Sequence, residues 1–249
     1  MLLVENLHVE VEGRPVLRGI NLELGSGETH VLLGPNGGGK TTLLMAIMGM
    51  PRYRITKGAV YFKGKDITSL SPDSRARLGI GMMFQKPPAV RGVKLREIAG
   101  TVASARQTGS ISAETLGAAA EKLNLSEHLD RDLNYGFSGG ELKRSEMFQL
   151  LCQSPELLLL DEPESGVDLD NIVLIGEAIN ELLGKAGDVR IKERKSSGLI
   201  VTHTGHILRY VNADKGHVLI DGRIYCNGNP RDLFEEVQKH GYRRCESCW

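Results

Sequence analysis

An α/β fold is what this chain predicts: a mixed sheet core, an antiparallel β subdomain beside it, and an inserted helical subdomain. Three observations predict it. The stretch Gly34–Thr42 (GPNGGGKTT) fits the pattern G-x-x-x-x-G-K-[ST], with Gly34, Gly39, Lys40 and Thr41 in the fixed positions. Leu157–Leu160 is an unbroken apolar run closed by Asp161 and Glu162, as a strand buried on both faces reads. From 93 to 133 the pattern changes to alanine- and leucine-rich helical periodicity, inside a core that otherwise alternates strands and helices.

The chain opens with two strands, Leu2–Val11 and Val16–Leu24, around a turn at Glu12-Gly13-Arg14-Pro15. Leu7, Val9 and Val11 alternate with polar neighbours, as in a half-buried antiparallel strand. His30–Leu33 enters the glycine-rich loop and the apolar helical pattern Leu43–Met48 leaves it, which is the context a phosphate-binding loop requires. Gly58–Phe62 reads as a further strand. Ser71-Pro72-Asp73 marks a helix start, because serine caps and proline's fixed φ suits the first turn. Gly81–Phe84 is a brief apolar strand ending at Gln85.

After the insert come a helix over Gly139–Cys152, the buried strand Leu157–Leu160, an amphipathic helix over Leu169–Leu183 and a second buried strand, Leu199–Thr202. Asp221-Gly222 between apolar runs signals a hairpin, and Asn229-Pro230 starts a terminal helix that reaches about His240. The expectation is one domain over 1–249: a nucleotide-binding core of 1–92 and 134–240, the helical subdomain 93–133 and a tail 241–249. The polar run Lys185–Gly198 is long for an internal connection and reads as a solvated loop.

Composition narrows the partners. The chain has 249 residues, 31 basic and 31 acidic side chains, and a formal net charge of zero, so a polyanion such as nucleic acid is not expected. No apolar run has the length of a membrane span, and the first residues lack the basic and apolar regions of a signal peptide. Four cysteines, at 152, 226, 245 and 248, show no disulfide framework, which fits a cytoplasmic protein. Cys152 reads as core. Cys245 and Cys248 form a CxxC that supplies only two ligands, and a reduced, frayed tail is the expected state.

The residue types of the loop carry its chemistry. Glycines (Gly34, Gly37, Gly38, Gly39), with Pro35 and Asn36 between them, let successive backbone amides converge on phosphate oxygens. The helix that begins there adds orphan donors and partial positive charge, through Lys40, Thr41 and Thr42. Lys40 is placed to span the β- and γ-phosphates of a nucleoside triphosphate, and the Thr41 hydroxyl to hold Mg²⁺. A buried parallel strand delivers Asp161 beside this loop, where it orients Mg²⁺ through its water shell, and Glu162 next to it serves as general base or orienting acceptor.

Four further segments carry a family resemblance. Phe137-Ser138-Gly139-Gly140-Glu141 resembles the signature motif of ATP-binding-cassette (ABC) ATPases, usually written LSGGQ. Gln85 sits where that family has its Q-loop glutamine, His203 where it has its switch histidine, and Ser165-Gly166-Val167-Asp168 resembles its D-loop. With the phosphate loop and the carboxylates, these stand in the family's order and span the whole chain. The resemblance implies a phosphate-loop NTPase of the ABC type that hydrolyses ATP with Mg²⁺. It implies a transient ATP-dependent homodimer, head to tail, in which Ser138, Gly139, Gly140 and Glu141 of one copy face the ATP on the phosphate loop of the other. It also implies Mg²⁺ on Thr41 and Gln85 with Asp161 acting through water, Glu162 polarising the attacking water, His203 at the γ-phosphate, and Asp168 communicating across the pair.

Within the family, the run from Phe137 to Asp170 looks closer to the SufC-like ATPases of iron–sulfur cluster assembly than to transporter subunits. That branch implies SufB/SufD-like scaffold partners and no direct membrane span; an ATPase subunit of a membrane transporter is the alternative. The signature ends in Glu141 rather than glutamine. Lys143-Arg144 reads as a solvated helix face, with pairing of this cation pair to Glu162 as the sharper expectation. Val11 stands where the family commonly stacks adenine on tyrosine, and an aliphatic side chain offers no π-face. The isolated chain is therefore expected to bind nucleotide weakly with relaxed base preference. Titration with ATP and GTP checks this; low-micromolar ATP affinity with strong rejection of GTP would contradict it.

Overall fold

Alternation builds the first layer. In β1 (Leu2–Val11) and β2 (Arg14–Leu24), Leu2, Val4, Leu7, Val9, Leu17, Ile20, Leu22 and Leu24 are buried, and most residues between them are exposed or half-buried. The computed structural model describes residues 1–105, 111–185, 187 and 189–242. After β2 the chain enters β3 (Thr29–Leu33), buried throughout, and then the glycine-rich loop and α1 (Lys40–Met48). Gly39 precedes α1 at φ 107°, a conformation open to glycine, and a Cβ there would lie 2.8 Å from Leu17 Cδ2. Strand β4 (Tyr53–Phe62) starts five residues before the Gly58 read from the sequence and pairs with β1 and with the short β5 (Lys65–Asp66). The antiparallel layer therefore runs β2-β1-β4-β5.

Next come α2 (Pro72–Leu78) and β6 (Ile80–Met83), which stops one residue short of Phe84. The insert holds β7 (Val90–Lys94), α3 (Leu95–Ala105), α4 (Ala113–Lys122) and β8 (Asp132–Leu133), with β7 and β8 forming a small antiparallel pair that the helical periodicity does not reveal. The remaining elements are α5 (Gly139–Gln153), β9 (Leu157–Asp161), α6 (Leu169–Leu183), β10 (Ser197–Val201), β11 (Lys215–Ile220), β12 (Arg223–Gly228) and α7 (Pro230–His240).

The central sheet runs β12-β11-β3-β10-β9-β6, parallel except for β12. Strands β3, β9 and β10 are buried throughout because both faces are covered there. Leu158, Leu160 and Ile200 join Phe148, Ile175 and Ile179 in one core, while Leu157, Leu159, Leu199 and Val201 join Leu43, Ile47 and the antiparallel layer in the other. Cys152 is buried in the first of these, and burial pushes its thiol up to about 12. Cys245 and Cys248 lie outside the described residues.

Part of the 185–198 run is anchored rather than free. Arg194 Nη1 pairs with Asp214 at 2.7 Å and donates to Gly27 O, Ser197 Oγ accepts the Gly27 amide at 2.9 Å, and Ser197 and Gly198 already belong to β10. A polar side chain that looks solvated in sequence is here a tie to the neighbouring β2–β3 turn.

Arg75 of α2 is 1% exposed and faces carbonyls rather than a carboxylate. Its guanidinium donates to Leu70 O, Thr68 O, Ala46 O and Ile47 O at 2.7–3.0 Å. Two of these acceptors lie in the last turn of α1, where a cation also meets the negative end of the helix dipole. Burial, offset by Asp66, lowers its pKa to about 10, leaving it charged at neutral pH. Arg75→Met is expected to destabilise the fold by about 3 kcal/mol, because buried carbonyls lose their donors. Urea unfolding measures it, and a loss below about 1 kcal/mol would show that the carbonyls find other partners.

Candidate functional site

Four parallel strands deliver the site. Val201 pairs with both Asp161 and Leu32, and Met83 with Leu160, so β3, β10, β9 and β6 end level with one another. Their C-terminal continuations are Gly34, Thr202-His203, Asp161-Glu162 and Phe84-Gln85, which places the glycine-rich loop, the carboxylates, the histidine and the glutamine along one sheet edge.

The loop is held from behind by the β11–β12 turn. Gly222 donates its amide to Gly38 O at 3.0 Å, and its own carbonyl accepts from Arg18. A Cβ on Gly222 would lie 1.9 Å from Val16 O, so no other residue fits this contact without movement. Lys40 Nζ donates to Gly34 O at 2.7 Å and to Pro35 O at 2.9 Å. Burial lowers the Lys40 pKa, with Glu162 and Asp161 opposing.

Glu162 stands between two neighbours. Gln85 Nε2 donates to its Oε2 at 2.8 Å, and His203 Nδ1 lies 3.2 Å from its Oε1. Its backbone has φ 50°, uncommon for a residue with a side chain, and its amide donates to Val201 O. Position and orientation are thus fixed independently.

Asp161 accepts from Thr41 Oγ1 at 3.2 Å through Oδ1, while its Oδ2 is buried without a hydrogen-bond partner. Burial raises the Asp161 pKa, the Thr41 hydroxyl pulling it back. A hydroxyl, a carboxylate and an amide oxygen are hard donors, and the orphaned oxygen is one a small divalent cation would satisfy, so Thr41, Asp161 and Gln85 fit Mg²⁺.

A cleft of about 410 Å³ opens beside these groups, with Asp161 buried and not among its lining residues. Asn36, Gly37, Gly39, Lys40, Thr41, Thr42, Gln85, Glu162 and His203 line it, with Ser165, which sequence reasoning placed only in the D-loop. Among the lining residues, the signature and Asp168 do not appear, nor does Val11, which ends β1 opposite Tyr53. Ser138 instead caps α5 reciprocally with Glu141: Ser138 Oγ accepts the Glu141 amide, and Glu141 Oε2 accepts the Ser138 amide at 2.7 Å. The Ser138 amide, with smaller help from His128, holds the Glu141 carboxyl below its usual range. Gly139 passes so close to Gly166 that a Cβ would lie 2.6 Å from its carbonyl. Asp168 caps α6, accepting from the Asn171 amide and side chain.

Neither the solvated helix face nor the pairing with Glu162 is what the structure holds for Lys143. Lys143 is 3% exposed, not solvated, and its ammonium donates to Phe84 O at 3.0 Å and Gln85 O at 3.3 Å. The carbonyls of Phe84 and of Gln85 itself are nearer than the carboxylate beyond them. Arg144 likewise caps the carbonyls of Leu123 and Asn124 at 2.8 Å. Two buried carboxylates next to the site were missed in sequence. Glu164 is buried against the hydroxyls of Thr202 and Thr204, which flank His203, and Glu146 is buried with its carboxylate on the Phe84 amide. The readable signal was Ser138-x-x-Glu141, a capping box that marks the start of α5.

The sequence profile of the ABC transporter family matches residues 17–165. The chain belongs to the ATP-binding-cassette family. A probable ABC transporter ATP-binding protein of Streptococcus pyogenes is 39% identical, covering 97% of this chain and 93% of that protein. The probable ATP-dependent transporter SufC of Escherichia coli is 38% identical, covering 97% of each. Among solved structures, the ADP conformation of MJ1267, an ATP-binding cassette of an ABC transporter, superposes with TM-score 0.74 at 26% identity, over 100% of this chain and 99% of that one. MJ0796, a bacterial ABC transporter cassette solved as a dimer, shares the fold with TM-score 0.77 at 22% identity, over 93% and 99%. The cassette is an ATPase with the mixed-sheet phosphate-loop fold that the sequence predicts.

Replacing the loop lysine tests the nucleotide site. Lys40→Ala is expected to abolish nucleotide binding or hydrolysis, read by titration with a fluorescent ATP analogue and by phosphate release. Normal turnover would contradict the assignment.

Proposed function

We propose that this cassette is the ATP-hydrolysing subunit of a cytoplasmic iron–sulfur cluster assembly complex, in which ATP-driven pairing of two copies moves SufB/SufD-like scaffold partners. The observation that carries the reading is the SufC-like run from Phe137 to Asp170, set in a chain that aligns with SufC of E. coli over 97% of both lengths. Among the described residues, no helix is long and apolar enough to cross a membrane.

The hydrolytic reading follows from the site. The amides of Gly37–Thr42 and the Lys40 ammonium cradle the phosphates, Lys40 leaving Gly34 O and Pro35 O for the β- and γ-phosphate oxygens. Thr41 and Gln85, with Asp161 acting through water, would hold Mg²⁺, which would supply charge neutralisation on the phosphates when bound. Glu162, oriented by Gln85 and His203 on its two oxygens, accepts a proton from the attacking water, and His203 lies beside the position of the γ-phosphate. Ser138 and the Gly139 and Gly140 amides, at the capped start of α5, complete the site of a second copy, and Asp168 signals between the two. A dimeric relative such as MJ0796 supports this pairing.

Glu162→Gln is expected to bind ATP, hydrolyse it at least about 100-fold more slowly and accumulate as a dimer. Single-turnover phosphate release and size-exclusion chromatography with ATP measure both, and normal turnover would remove Glu162 from the role. The partner is tested by pull-down of the full chain from native cytosol. A stoichiometric soluble scaffold supports assembly; an integral membrane permease would instead assign a transporter subunit.

A further inference from the structure

Glu146 is a buried carboxylate that none of these roles uses. It lies one turn after Lys143 on α5, so the two side chains share a helix face, and both reach the end of β6. Glu146 Oε2 accepts the Phe84 amide at 2.6 Å, while Lys143 Nζ donates to the Phe84 and Gln85 carbonyls. A third tie comes through Asn134, which donates to Pro88 O at 2.9 Å and accepts from Ser145 Oγ of α5 at 2.8 Å. Four backbone groups of the segment 84–88 therefore end on one helix or on a residue that helix holds.

Stability alone does not account for this. Glu146 is 7% exposed and Lys143 3%, and burying such a pair costs desolvation that apolar side chains of similar volume avoid. Burial pushes the Glu146 carboxyl up to about 7, the Phe84 amide and Lys143 opposing. What polar contacts add over apolar packing is direction. The grip includes the backbone carbonyl of Gln85, the residue whose side chain holds Glu162, and its helix is capped by Ser138. Phe84 and Glu146 also line a cavity of about 180 Å³, which gives the phenyl ring room to shift if the grip moves.

We propose that Glu146 and Lys143 are positioning residues for ATP hydrolysis: their clamp on the Phe84–Gln85 backbone ties the helix that begins at Ser138 to Gln85, and through Gln85 to Glu162. A helix is stiff over this distance, about 12 Å from Ser138 to Glu146 at 1.5 Å per residue. Displacement at its N-terminus therefore arrives at the clamp rather than dissipating. The inference rests on the roles given to Gln85 and Glu162 above and not on the identity of the scaffold.

The test uses the full chain with Glu146→Leu, Lys143→Met, the double variant, Glu146→Gln, and Gln85→Ala as reference. Each single clamp variant is expected to lower kcat about tenfold with KM for ATP changed less than about twofold, the pattern of a residue acting after binding. Glu146→Gln keeps an acceptor oxygen for the Phe84 amide and is expected to recover to within about threefold of wild type. Because both side chains hold one segment, the double variant should fall little further than the worse single; independent structural damage would multiply instead. Without nucleotide, amide hydrogen exchange in peptides covering 80–88 should quicken in both single variants. Where Glu146→Leu does not fold by its melting curve, Lys143→Met and Glu146→Gln carry the comparison. Unchanged kcat and exchange, or multiplicative losses with raised KM, would overturn the clamp while Gln85→Ala still loses turnover. Normal turnover in Gln85→Ala would overturn both the clamp and the site assignment.

Discussion

The level ending of β3, β10, β9 and β6 is the constraint on which the rest of this molecule depends. Parallel strands place all their C-terminal ends on one edge, and a one-residue slip in any pair would turn its functional residue toward the opposite layer. Four chain segments far apart in sequence thereby meet around one carboxylate. Glu162 is held from two sides by strand ends that are not its own sequence neighbours, Gln85 following β6 and His203 following β10. The double apolar cover of the sheet fixes the register, and the register fixes the chemistry.

Polar groups inside this framework serve as connectors. Arg75 ties the last turn of α1 to the segment before α2, Asn134 ties α5 to Pro88, and the Gly222 amide ties the β11–β12 turn to the phosphate loop. Each satisfies backbone groups that neither helix nor sheet can satisfy, at the junctions where elements of different layers meet. Apolar packing could hold those layers together, but it could not dictate which carbonyl faces which strand end. The same physics explains why the signature serine is committed within its own chain to capping α5: a helix start that presents amides outward needs one of its donors satisfied locally to be well ordered.

Much of this was legible in the sequence because it depends on short-range patterns. Gly34–Thr42 required no context beyond an entering strand and a leaving helix. Leu157–Glu162 identified its own buried strand, and Leu169–Leu183 and the Asp221-Gly222 turn were readable from periodicity and turn chemistry. The failures were long-range. Lys143 looked solvated because two charges in a row on a helix usually are; only the packing of α5 under β6 shows that this one points inward. Strands β7 and β8 escaped notice because β8 is a two-residue strand whose existence depends on a partner about 40 residues away.

By itself, then, the sequence determined the phosphate loop, the longer strands and helices, and the family, because each is encoded in residues adjacent along the chain. Tertiary structure alone decided what Glu162 touches, where Lys143 and Glu146 spend their charges, and that Asp161 keeps one oxygen unpartnered beside Thr41. Those outcomes depend on strand order and register across the sheet. Neighbours in that dimension are separated in this chain by 77 residues between Gln85 and Glu162 and by 120 between Thr41 and Asp161.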